Sequence, residues 1–338
     1  MSGLGRVRVA LDALGGDFAP QAALGGLHLA LGRDPEIDVQ IVATPDVLRR
    51  AEEELGEFAG RITFVTSGPA VPDGHHPSVY LRRHRDASIA VAVSRVKKGL
   101  ADAALGVGHT GSVMIAARWL LGTLPGVERP AAAGVLPIGA EPVLVDLGTS
   151  AEVDARELLV FAALGSAYAR ALKGIAQPRI ALVSNGREEG KGTRIVQEAY
   201  ALFRERVPNF IGYREGNDMV DGDADVLVVD GYIGNVVLKW MEGIGRQLTA
   251  LQGASGELAQ QIARMQDITL SPLPIALLGV PGVVMPGHGR SQPQDVARLL
   301  ERTAQAVRGQ LPALVRQEVS HFLGEVSSSE AGEEGESG

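Results

Sequence analysis

An α/β fold with a mostly parallel, doubly wound sheet is predicted by three features of the sequence. Short apolar runs alternate with longer segments of helical period. The runs are too apolar to leave one face of a sheet wet, so helices must cover both faces. Glycine-rich turns stand where the runs end, as short strand-to-helix connections require. The 338 residues are 45% hydrophobic and only 4% aromatic, with 43 Gly and 18 Pro. Val, Leu, Ile and Ala must therefore fill the core.

Residues 6–11 alternate as a strand; the Gly15-Gly16 turn follows, then a helix over 20–31. A strand at 39–43 precedes a helix over 45–55, and 62–65 is a short third strand. Residues 86–98 carry Ile89, Val93 and Val96 at helical spacing. The run 103–107 ends at Gly108-His109-Thr110-Gly111 and opens an apolar helix over 112–121. Strands at 143–145, 179–183, 225–229 and 283–285 end respectively in Asp146-Leu147-Gly148, a loop from Asn185 to Gly192, Asp230-Gly231 and Gly287-His288-Gly289. Helices are expected over 157–172, 194–206, from Gly231 through Met241, and over 294–308, with a continuation toward His321. One α/β domain is expected over 1–323, with room for two lobes sharing a sheet. The stretch 324–338 holds five Glu and no Lys or Arg, and reads as a disordered acidic tail. Ligands of parallel sheets sit at the carboxyl ends of strands, so the informative turns are expected along one rim.

Several classes of function are excluded by composition. There is no cysteine, hence no disulfide, no thiolate metal site and no thiol nucleophile. The histidines lack metal-ligand spacing, and no metal is expected. Net charge is −8, and −3 without the tail, which argues against nucleic-acid binding. No opening signal segment and no apolar run long enough to cross a bilayer are seen. A cytoplasmic protein is expected, with at most a peripheral membrane contact. Residues 248–270, with Leu251, Leu258, Ile262 and Met265, read as a projecting helical pair, expected as a dimer contact ahead of a lipid-facing patch.

The strand-end turns Gly15-Gly16-Asp17 and Gly108-His109-Thr110-Gly111 suit an anion: glycines let backbone N–H groups approach it, and the helix dipole favours it. Plain turn and capping roles suit them as well. No nicotinamide fingerprint or nucleotide P-loop is present. Lys191, between Gly190 and Gly192, could neutralise a phosphate or a developing oxyanion, or be a solvated surface lysine. Asn235 could donate to an oxyanion; from the residues alone a helix cap is the better reading. Arg82, Arg83 and Arg85, with Lys97 and Lys98 nearby, form the dense basic segment, either a solvated helix face or a dock for an acidic protein.

The stretch Val9-Ala10-Leu11-Asp12-Ala13-Leu14-Gly15-Gly16-Asp17-Phe18-Ala19-Pro20 resembles the opening of the bacterial acyl carrier protein:phosphate acyltransferases. Further resembling blocks follow in family order: 101–111, Glu188-Glu189-Gly190-Lys191-Gly192, 222–239 and 279–289. The resemblance implies a fold like that of the isocitrate and isopropylmalate dehydrogenases without their cofactor, a homodimer and no metal. It implies acyl transfer from acyl carrier protein to inorganic phosphate, the acyl phosphate feeding a downstream membrane acyltransferase of phospholipid synthesis. By position, Lys191 and Asn235 would be the catalytic pair. The phosphate would lie among Gly15, Gly16, Asp17, Gly108, His109, Thr110 and Gly111, and the carrier protein on Arg82, Arg83, Arg85, Lys97 and Lys98. The sequence departs from the family's usual residues at Phe18, His109, Ser150 and Arg187. Two alternatives stand beside this reading: a short-chain phosphotransacylase using coenzyme A thioesters, and a non-catalytic protein that binds acyl carrier protein.

Overall fold

A computed structural model describes residues 5–137, 139–250 and 273–324. The strands, in chain order, are β1 (Val7–Asp12), β2 (Ile37–Ala43), β3 (Ile62–Thr66), β4 (Ala103–Gly106), β5 (Ala131–Val135) and β6 (Val143–Val145). They continue with β7 (Ile180–Val183), β8 (Phe210–Arg214), β9 (Val226–Val228), β10 (Ile275–Leu278) and β11 (Val283–Pro286). The helices are α1 (Gln21–Arg33), α2 (Pro45–Glu54), α3 (Pro77–Arg83), α4 (Ser88–Lys97) and α5 (Thr110–Leu121). The second half adds α6 (Ala155–Lys173), α7 (Arg194–Arg206), α8 (Gly231–Ala250), α9 (Pro293–Arg308) and α10 (Leu311–Leu323).

The strands pair into one sheet in the order β3-β2-β1-β4-β11-β10-β5-β6-β9-β7-β8. Alternation along each strand divides its side chains between the two faces. Val9, Leu11 and Leu105 face the core cluster built with α1, α6, α9 and α10. Ala104, Leu277 and Val284 face the other way, under α4 and α5. The long helix α6 runs through the middle of the first layer and is buried along most of its length. Its start is fixed by a capping box between Asp154 and Glu157, its end by Gly174 in the left-handed conformation.

Seven of the ten strand pairings are parallel. The exceptions lie together: β11–β10, β10–β5 and β5–β6 are antiparallel. Three reversals in succession leave β6, β9, β7 and β8 running opposite to β1, β2, β3, β4 and β11. The expectation that all strand-end turns share one rim is thereby corrected. The turns after β1, β4 and β11 end strands of one sense; those after β6, β7 and β9 end strands of the other. β5, β8 and β10 escape the sequence reading. β5 is Ala-Ala-Ala-Gly-Val, poor in strand-forming residues, and is held by burial between two partners. β10 hides in the apolar stretch that ends in β11, and β8 carries a glycine at 212. The expected continuation of α9 is a separate helix, because the chain turns at Gly309 and at Gln310, which has φ 53°. The expected helical pair at 248–270 lies, beyond Ala250, outside the described residues, as does 325–338 of the tail. Among the described residues no helix is long and apolar enough to cross a membrane.

Candidate active site

The turns after β1, β4 and β11 enclose a cavity of about 540 Å³. All seven residues expected to hold phosphate line it: Gly15, Gly16, Asp17, Gly108, His109, Thr110 and Gly111. The backbones touch there. A Cβ on Gly15 would lie 1.9 Å from the Val107 carbonyl oxygen, so only glycine fits. The Asp17 N–H donates to the Gly289 carbonyl at 2.7 Å, drawing the third turn against the first. His109 precedes α5 without a side-chain cap hydrogen bond, and Thr110 is the first helical residue. The first turn of α5 therefore keeps backbone donors for a ligand.

Among the further residues lining the cavity, four polar ones were left out or left undecided by the sequence reading and bear on its chemistry. Asp12 ends β1 and Ser112 lies in the first turn of α5; His288 and Arg290 come from the third turn. The Ser112 hydroxyl is buried and, among the described residues, has no hydrogen-bond partner. The His288 Nδ1 accepts from the Arg290 N–H at 3.2 Å. A signal for Asp12 was present, since it ends a strand just before the glycine turn, but an acid there reads equally as a turn former.

Lys191 and Asn235 do not line this cavity. They follow β7 and β9, neighbouring parallel strands of the other half of the sheet. The Lys191 loop is shaped by Gly190 and Gly192, with φ of 91° and 89°. The Asn185 Oδ1 accepts the Gly192 N–H at 2.8 Å, and the Gln197 amide donates to the Gly190 carbonyl at 2.6 Å. Arg187, where the resemblance implies a departure from the family's usual residue, is committed elsewhere: it pairs with the buried carboxylate of Asp218. Lys191 is exposed, and among the described residues no acceptor holds its ammonium.

Asn235 is not the cap of α8. That role belongs to Asp230, whose Oδ1 accepts the Ile233 N–H at 2.8 Å. Asn235 stands one turn further on, exposed, against the Gly148 turn after β6. That turn is organised by the buried Asp146. Its carboxylate accepts from the N–H groups of Ala132 at 2.9 Å, Thr149 at 3.0 Å and Ser150 at 2.9 Å, and from the Thr149 hydroxyl at 2.6 Å. Burial pushes the Asp146 carboxyl up, and those donors pull it back. A Cβ on Gly234 would fall 1.7 Å from the Asp146 carbonyl oxygen. The glycines of α8 thus let the helix lie on the Asp146 turn, which fixes where Asn235 emerges.

The basic segment splits. Arg82, Arg83 and Arg85 are exposed at the end of α3, and the Arg85 guanidinium lies 5.3 Å from the centre of the half-exposed Trp119 ring. Lys97 and Lys98 are exposed at the far end of α4, a helix length of roughly 15 Å away. Among the described residues no group of three or more His, Asp and Glu stands where it could hold a metal ion.

The sequence profile of a family described as fatty acid synthesis protein matches residues 7–314. The chain belongs to this family. Among curated members, the phosphate acyltransferase of Syntrophomonas wolfei is 36% identical over 294 residues, covering 86% of this chain and 91% of that protein. The phosphate acyltransferase of Aeromonas salmonicida is 36% identical over 318 residues, covering 90% and 94%. In three dimensions the fatty acid synthesis family member described above is similar to a phosphotransacetylase from Streptococcus pyogenes, with a TM-score of 0.62, 16% identity and coverage of 90% and 94%. It is also similar to a putative 4-hydroxythreonine-4-phosphate dehydrogenase from Salmonella typhimurium, with a TM-score of 0.54, 14% identity and coverage of 90% and 100%. The fold is the one expected, shared with the isocitrate and isopropylmalate dehydrogenases.

Proposed function

We propose that the protein is a phosphate acyltransferase that moves a fatty acyl group from acyl carrier protein to inorganic phosphate. The reading is carried by identity of about one third across nearly the whole chain with proteins named phosphate acyltransferase. A phosphate oxygen attacks the thioester carbonyl, the C–O bond forms, the C–S bond breaks, and the departing thiolate takes a proton. The thioester is already activated, so positioning and charge stabilisation suffice, and the lack of cysteine fits direct transfer.

In this reading the α5 turn and the glycines beside it hold phosphate, while Lys191 and Asn235 stabilise the oxyanion that develops on the carbonyl. The opposite strand senses do not forbid this. A sheet twists by about 20–25° per strand, so β9, five steps from β4, is turned by roughly 100–125°. Accumulated twist of that size is what would let turns from the two halves approach one another. The carrier protein, acidic by nature, docks on Arg82, Arg83 and Arg85 beside Trp119; Lys97 and Lys98 form a second contact at most. A homodimer uses α8, where Tyr232, Val236 and Trp240 recur every fourth residue on one helix face, with Tyr232 65% and Trp240 67% exposed.

Purified protein supplied with long-chain acyl carrier protein and phosphate should yield acyl phosphate, trapped as hydroxamate, with stoichiometric release of carrier thiol. Replacing Arg82, Arg83 and Arg85 by Glu should raise KM for the carrier thioester with little change in kcat. A preference for butyryl-coenzyme A over the carrier thioester would instead place the protein with short-chain phosphotransacylases. No turnover with either donor would leave a binding protein.

A further inference from the structure

The cavity below the α5 turn holds a group at odds with an ordinary anion pocket. Asp12 lines it, is 4% exposed, and accepts the Leu14 N–H at 3.0 Å through Oδ1. Asp17 and Asp73 line the same cavity, as do His109, His288 and Arg290. A fully deprotonated anion would meet carboxylates that can only accept hydrogen bonds. Ser112 lines the same cavity, is 5% exposed, and its Oγ finds no partner among the described residues. A buried hydroxyl left without a partner costs stability unless a ligand completes it.

Resting on the phosphate reading above, we infer that Asp12 selects phosphate against sulfate, its carboxylate accepting a hydrogen bond from the P–OH of the bound anion. The Ser112 hydroxyl and the free N–H groups of the α5 turn donate to the remaining oxygens. Phosphate and arsenate carry an O–H at neutral pH; sulfate carries none. Against Asp12, sulfate sets one acceptor facing another in a covered site, an unpaired and repulsive contact. The carboxyl is kept from ordinary carboxylate behaviour by burial, which pushes it up to about 6, so it shares a proton with a phosphate oxygen readily.

Titration calorimetry on the full-length protein with phosphate, arsenate and sulfate, at fixed ionic strength and without acyl donor, tests this. Wild type should take phosphate and arsenate at least about tenfold more tightly than sulfate. Asp12→Asn offers an amide N–H to sulfate and should bring the ratio below about threefold; Asp12→Ser is carried alongside as a second variant. A wild type that takes sulfate as well as phosphate overturns the inference. So does a variant that keeps the preference, or one that loses all three anions equally, which would mark a merely structural role. Anion selectivity without acyl transfer would sink the enzymatic reading and leave this one standing. Acyl transfer inhibited by sulfate at the KM of phosphate would do the reverse.

Discussion

Arg187 donates through Nε to Asp218 Oδ2 at 2.9 Å, and so ties the loop that carries Lys191 to the 3-10 turn at Gly216–Val220. The side chain of Asp218 is almost wholly covered, while the guanidinium is largely in water. Its hydrogen bonds and charge hold the Asp218 carboxyl below the ordinary carboxylate range. The pair therefore adds stability above the unfolded carboxyl value of about 3.9 and loses it as pH falls through the lower folded one. Arg187→Ala should lower the melting temperature at pH 7 by roughly 1–3 °C, modest because the partner is solvated. The difference from wild type should vanish in strong acid. Melting curves across pH 2–7 check both halves of the statement.

Lys191 and Asn235 are exposed, with no hydrogen bond holding either side chain among the described residues. Folding does not depend on them. Lys191→Ala should reduce turnover at least about tenfold, and Asn235→Ala comparably, with melting temperatures unchanged. Steady-state kinetics beside calorimetry decide it. A wild-type rate from Lys191→Ala removes that residue from the mechanism.

Gly234 approaches the Asp146 carbonyl so closely that no side chain fits. Gly234→Ala should destabilise the protein by about 1–3 kcal/mol through overpacking, and should displace Asn235 with it. Gly56→Ala is the matched control, because a Cβ there meets nothing within 4 Å. Denaturant titration of the two variants should separate them clearly.

Burial raises the Asp12 carboxyl to about 6. A folded value above the unfolded one favours the native state below about pH 4, and that contribution is lost as pH rises through about 6. Asp12→Asn removes the buried charge. Without phosphate it should melt higher than wild type at pH 8 and close to wild type at pH 4.5, as measured by circular dichroism.

The fold class was legible because buried strands such as 103–107 and 143–145 announce themselves by apolar runs ending in glycine turns. The seven residues expected to hold phosphate were legible as a set of strand-end turns for the same reason, and they line one cavity. Besides β8, the sequence hid β5 and β10. An Ala-Ala-Ala-Gly-Val strand has no propensity to betray it, and its place between antiparallel neighbours is decided by tertiary packing. Those two strands reverse the sheet, so the relation between the glycine turns and Lys191 could not be read in advance. Asn235 was obscured differently: its helix begins at Gly231 with Asp230 as cap, four residues before a residue that itself looks like a cap. Ser112 gave no pattern, since an unpartnered hydroxyl is visible only once its surroundings are, and the acid at Asp12 read equally as a turn former.

The antiparallel β10–β5 junction stitches two half-sheets back to front. Each half keeps its own hydrogen-bond register, so mutations can accumulate on one without misaligning the other. Phe18 and His109, two of the positions where the resemblance implies a departure from the family's usual residues, lie on one side of the seam, Ser150 and Arg187 on the other. Chimeras with a relative that exchange a whole half become a practical way to test the proposed anion-holding and oxyanion-stabilising groups independently.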